Sequence, residues 1–365
     1  MSINFNNNRF ERIIETSRKW WAGKLKRPLI QVTTRDHDPG RPEPKLSYEF
    51  YNAVYPFSVS ATDIIDRIDY DLSCLTFYGD AFPHYMPFFG AGVLAAFLGA
   101  QLDQRKETCW FHPVSDKSVS EITFQPDPEN RWYNRVKDIY TAGVERWEGL
   151  VQLAITDLGG NLDVLASFRP GEKLLLDLYD YPDDIKRLTW EAHEQWWNCY
   201  EVFDTLIRPP NHGCTAWTPI FSEYPYYMLQ CDFAYMISPD MFDEFVKPEL
   251  TASCKRLTNA FYHLDGPGQL VHLDSLLAID ELKGIQWIPG DGSPGIRHWP
   301  DVYRKIRNAG KLIQIFGDIG DLDTIIEQLG SAEGIALICM DFDNPTPKPS
   351  KTEIIEALNR YGVND

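Results

Sequence analysis

The sequence predicts an α/β fold, a (β/α)8 barrel with additional N-terminal helices, in a single domain spanning residues 1–365. Three observations carry that expectation. Short apolar or β-branched runs alternate with longer helical patterns, as parallel βα units require. The runs number eight, enough to close a parallel sheet on itself. The last four end within a few residues in Gly, Asp or both, the chemistry of tight βα loops.

In chain order the eight strands are expected at 28–34 (PLIQVTT), 72–77, 150–156 (LVQLAIT), 214–220, 260–264 (AFYHL), 284–288 (GIQWI), 311–316 (KLIQIF) and 335–340 (IALICM). Asp265-Gly266, Gly290-Asp291, Gly317-Asp318 and Asp341 follow the last four. Helical patterns fill 130–147, 270–282, 298–308, 322–329 and 351–361. A longer one covers 182–208, with Trp196, Trp197, Tyr200 and Phe203 on or near one face, which suits either core or a dimer interface.

Composition narrows the function. A 44% hydrophobic, 13% aromatic chain of 365 residues supports a sizeable core. A formal charge of −18 repels nucleic acid and anionic membranes, and the densest basic stretch, 24–27, is short. No apolar run approaches a membrane span. Residues 1–12 are polar without an apolar signal region. Seven cysteines occur singly, an odd number with no CxxC pair, which fits reduced thiols and a cytoplasmic protein.

The strongest local signal is Tyr262-His263-Leu264-Asp265-Gly266. Residues two apart on a strand point to one side, so His263 and Asp265 together face the mouth where barrel enzymes keep their chemistry. Imidazole with carboxylate can ligate a metal or move a proton. The same pair also suits a buried core histidine and a helix-capping aspartate. Cys339 on the eighth strand is either a small buried hydrophobe or, with His263 and Asp265, a third ligand of an open zinc site. Asp232 lies in a loop on the active face. Glu223 and the tyrosines after it suit a pocket wall or packing on the barrel top. Asp157 precedes Gly159-Gly160, which bring backbone close to a ligand or a neighbouring element. Tyr262 and Trp287 are placed at the substrate pocket, with core packing the alternative for Trp287. No P-loop, Rossmann or GxSxG motif occurs.

Several stretches, in order, resemble the uroporphyrinogen decarboxylase superfamily. They are MISPDMFDEFVKPEL (236–250), YHLDG (262–266), GIQWIPGDGSP (284–294) and KLIQIFGDIGDLDTI (311–325). GDAFP (79–83) and FFGAGVLAAFLGA (88–100) are similar to its methyltransferase-like branch. The resemblance implies a barrel with extra N-terminal helices. It also implies methyl transfer between a corrinoid on a partner protein and a small-molecule acceptor, at a zinc held by His-x-Cys and a Cys of the last strand. Here the first pair is His263-x-Asp265, and Cys339 suits the last ligand. Two alternatives stay open. One is a cofactor-free decarboxylase of a porphyrin or other polycarboxylate, with Arg35 and Arg41 at the mouth, although the arginine-bearing motif and the last-strand His of the decarboxylases are missing. The other is a non-catalytic corrinoid or small-molecule binding protein.

Overall fold

The computed structural model describes residues 3–340 and 349–363; Asp341 lies outside them. Eleven strands form among the described residues: β1 (Leu29–Arg35), β2 (Leu75–Gly79), β3 (His84–Tyr85), β4 (Gln101–Gln104), β5 (Cys109–His112), β6 (Gln152–Leu153), β7 (Tyr226–Leu229), β8 (Asn259–Asp265), β9 (Leu282–Ile288), β10 (Leu312–Phe316) and β11 (Ile335–Cys339). Seven make one sheet in the order β2-β1-β11-β10-β9-β8-β7. Every pairing in it is parallel except β1 with β2. The protein is therefore a mixed α/β molecule on a mostly parallel sheet.

The first strand and the last four form where the apolar runs predict them. The other three runs behave differently. The run at 72–77 is displaced to Leu75–Gly79 and pairs antiparallel with β1. Its end is fixed by Asp80, which accepts from Arg27 Nη1 at 2.6 Å and from the Ile30 amide at 3.0 Å. The run at 150–156 contributes only β6, which pairs with β3 outside the main sheet. The run at 214–220 makes a single bridge, Cys214 to Ser222; Pro219 lacks the amide a ladder needs. The strand forms instead in the tyrosine-rich segment after Glu223. The main ladder does not close, since β2 and β7 are its two edges. Side chains tie segments outside this sheet to one another: His84 Nε2 donates to the Ala216 carbonyl at 2.7 Å, and Asn211 bonds the Leu153 carbonyl at 2.8 Å.

Alternation sorts each strand onto two faces. One face, with Tyr262, Leu264, Ile285, Trp287, Ile315 and Leu337, joins the main core beneath the helices. The other, inner face carries Leu29, Tyr226, Met228, Phe261, Leu312 and Ala336 in a second cluster that also includes Trp20. Trp20, in the last turn of the helix Arg9–Trp21, stacks on Phe261 at 5.7 Å and donates Nε1 to the Ile335 carbonyl at 3.1 Å. This helix thereby packs at the amino end of β11. Gly284 makes room on the inner face: a Cβ there would lie 2.1 Å from the Phe261 ring.

The helix Pro182–Ile207 buries Trp196, Trp197, Tyr200 and Phe203 inside this chain. Trp196 stacks on Tyr200 and donates to the Gly159 carbonyl at 3.1 Å. Ser238 caps the helix Pro239–Phe245, accepting from the Met241 amide, with Pro239 at the first helical position, where its missing amide costs nothing. Among the described residues no helix is long and apolar enough to cross a membrane.

Candidate metal centre and pocket

Strand β8 delivers His263 and Asp265 to the inner face at its carboxyl end. The adjacent strand β7 ends just before a 3-10 turn, Asp232–Met236, and so delivers Asp232 to the same place. One donor atom from each of Asp232, His263 and Asp265 lies within 4.8 Å of the others. The turn is held by Asp163, in the first turn of the helix Asn161–Phe168. Its carboxylate accepts from the Phe233 amide at 2.7 Å and the Asp232 amide at 3.0 Å.

His263 is oriented from below. It pairs in register with Gln286, and Gln286 with Gln314. Nδ1 of His263 donates to Gln286 Oε1, and Gln286 Nε2 donates to Gln314 Oε1. A proton on Nδ1 leaves the Nε2 lone pair free for a ligand. Both glutamines are fully buried.

The local field is unfavourable to bare carboxylates. Burial, and then the charge of Asp232, push Asp157 up to about 7. The same two causes, in the same order, raise Asp163. Asp232 is raised by burial, lowered by His263 when that ring is protonated, and raised by Asp265. Crowded acids with a free imidazole lone pair make a place where a cation relieves the repulsion.

A cavity of about 490 Å³ opens over this group, lined by Asp157, Asp232, His263 and His84 and by aromatic rings from four separate segments. Trp217 meets the His263 ring edge-on at 5.1 Å. Burial lowers His84 to about 4, so it is a neutral donor. A larger cleft, about 680 Å³, lies between the helices Arg131–Trp147 and Pro182–Ile207, but its lining is mostly apolar and holds none of these groups.

The expected residues divide. His263, Asp265, Asp232 and Asp157 come together. Cys339 does not join them. Ala336 and Ile338 face inward, so alternation turns Cys339 to the helix side, where it packs against the main core. Met340 reaches the cavity instead. Burial, then Asp318 and Asp321, raise the Cys339 thiol, so it stays protonated. Tyr262 and Trp287 likewise occupy the helix side, Trp287 against Trp299 at 5.0 Å. Glu223 precedes β7 while Asp232 follows it. Glu223 therefore sits at the opposite end of the strand, bonded to Arg18 at 2.7 Å. Gly159 and Gly160 bring backbone against Gly92 and the Gln230 carbonyl, where a Cβ would lie at 2.4 and 2.2 Å. Arg35 pairs with Asp71, and Arg41 with Asp66 and Asp69.

Asp163, Gln286 and Gln314 are the participants that the sequence reading missed. A signal existed: three strands carry the same Ile-Gln pair, at Gln31, Gln286 and Gln314. A polar residue mid-strand between apolar neighbours marks a buried amide with a task on the inner face.

No family model matches the chain, and no curated protein matches it. In structure it is similar to a methyltransferase from Methanosarcina mazei, with TM-score 0.50 and 13% identity over 75% of this chain and 77% of that one. At that identity the likeness shows the fold alone: this chain shares the architecture of that methyltransferase.

Proposed function

We propose that this chain is a single-domain methyltransferase on a (β/α)8-derived scaffold. It would move a methyl group between a corrinoid carried by a partner protein and a small-molecule acceptor, at a divalent metal, zinc in the first instance. The observation that carries the reading is the convergence of Asp232, His263 and Asp265 donors within 4.8 Å. Their chemistry fits the ion: one imidazole nitrogen and two carboxylate oxygens leave a fourth position open, the pattern of catalytic zinc. The oxygen-rich set also admits harder ions than a thiolate set does. Asp232 takes the role that the resemblance implied for Cys339.

When bound, the metal would supply Lewis acidity, making the acceptor a better nucleophile. The chain's own residues do the rest. Gln286 holds His263 in the tautomer that ligates. Asp163 fixes the Asp232 turn by two amide bonds. Asp157, poised at about 7, is suited to accept the acceptor's proton near neutral pH. The aromatic walls keep water from the reacting atoms.

The test is metal analysis of zinc-loaded protein, coupled to spectral monitoring of methylcobalamin demethylation with thiol and amine acceptors. Stoichiometric zinc and demethylation, both lost in His263→Ala, are expected. Wild-type metal content in His263→Ala would sink the reading.

A further inference from the structure

The walls of the same cavity carry information about the small molecule itself. Its rings come from unrelated parts of the chain: Phe50 and Tyr51 before the short turn Asn52–Val54, Phe88 after β3, Trp217 before β7, and Phe316 at the end of β10. They are arranged against one another. Tyr51 stacks on Phe88 at 5.1 Å, Phe50 meets Phe88 edge-on at 5.2 Å, and Trp217 lies 6.4 Å from Phe316. Asp157 and Asp232 stand among the lining residues. Among the described residues, no lysine or arginine lines the cavity.

Each part of that wall selects the same chemistry. The face of an aromatic ring is negative and attracts a cation that has been stripped of water. A carboxylate adds attraction for a cation and repels an anion. A pocket for a carboxylate, sulfonate or phosphate would instead present Arg, Lys or a helix amino end. A purely apolar ligand would put no counter-charge beside the buried Asp157 carboxyl. The cavity's size of about 490 Å³ suits a small molecule.

We propose that this aromatic and carboxylate-lined cavity binds a small organic cation of the alkylammonium class. The proposal deepens the reading of the pocket as the active site by assigning a charge to the molecule it takes, and it needs no metal to be tested.

Calorimetric titration of the full chain with three probes of similar shape provides the test: tetramethylammonium, tert-butanol and trimethylacetate. It is run on zinc-loaded and on chelator-treated protein. The expected result is saturable one-to-one binding of tetramethylammonium, roughly tenfold or more tighter than tert-butanol, as a desolvated cation–aromatic contact would give, with trimethylacetate weakest. Phe50→Leu, at the exposed rim, and Asp157→Asn should each weaken the cation and leave tert-butanol unchanged. Equal binding of tert-butanol and tetramethylammonium, or tighter trimethylacetate, overturns the proposal. So does unaltered cation binding in both variants. Cation selectivity in protein that takes up no zinc on loading would sustain the proposal while removing the metal reading. Zinc binding without cation selectivity would do the reverse.

Discussion

At the scale of single residues, the inner and helix sides of one strand separate chemistry from packing. Cys339 and Met340 are neighbours, yet only Met340 lines the cavity. Cys339→Ser should therefore leave zinc content unchanged, while a hydroxyl at this half-buried position lowers stability by about 1 kcal/mol; metal analysis and urea unfolding measure the two. Gln286→Leu should act in the opposite sense. Removing the partner of His263 Nδ1 frees the ring to turn, and zinc affinity should drop by roughly 10–100-fold, read by competition with a chelating dye. Asp157 gives a pH prediction. Its carboxyl titrates at about 7 when folded but at about 4 when unfolded. Between those values the folded chain holds a proton that the unfolded chain has released. Stability of metal-stripped protein therefore falls as pH rises through this window, and the penalty is absent below about pH 4. Urea midpoints at pH values spanning the window should show that slope, and Asp157→Asn should reduce it, the remainder coming from the raised Asp163 and Asp232 carboxyls. An unchanged slope in the variant would contradict the assignment.

At the scale of elements, three strands β8, β9 and β10 act as one scaffold because His263, Gln286 and Gln314 occupy successive positions across it. The helix Arg9–Trp21 contributes from the other end. Trp20 is fully buried, stacked on Phe261 and hydrogen-bonded to β11. Trp20→Ala should lose about 3–5 kcal/mol, the usual penalty for emptying a buried tryptophan site, without changing ligand affinity in whatever fraction stays folded. Chemical denaturation together with calorimetry would separate the two effects. A loss of affinity with stability intact would show that this helix reaches the pocket.

For the whole molecule, the net charge of −18 is the dominant long-range property. Like charges repel across the compact state and are spread further apart in the unfolded chain. Raising salt from near zero to about 0.15 M shortens the screening length to roughly 8 Å, so the melting temperature should rise with added sodium chloride. A flat or falling response would mean that local ion pairs such as Arg27–Asp80 outweigh the general repulsion.

The sequence by itself determined the α/β class, the first strand and the last four, the long aromatic helix, and His263 with Asp265 as a pair on one side of a strand. These are local properties: apolar runs, turn residues and a two-residue period are written within a few positions of one another. Only the tertiary structure decided the rest. It brought Asp232 and Asp157 to the pair, because those residues follow other segments and meet it only when the sheet is assembled. It turned Cys339 away, because the face of a strand depends on register, and one residue of register exchanges a metal ligand for a core side chain. It also left the ladder open between β2 and β7, because Leu75–Gly79 found an antiparallel partner in β1. The pair at the end of β8 was legible early; the company that gives it a chemistry was supplied by the fold.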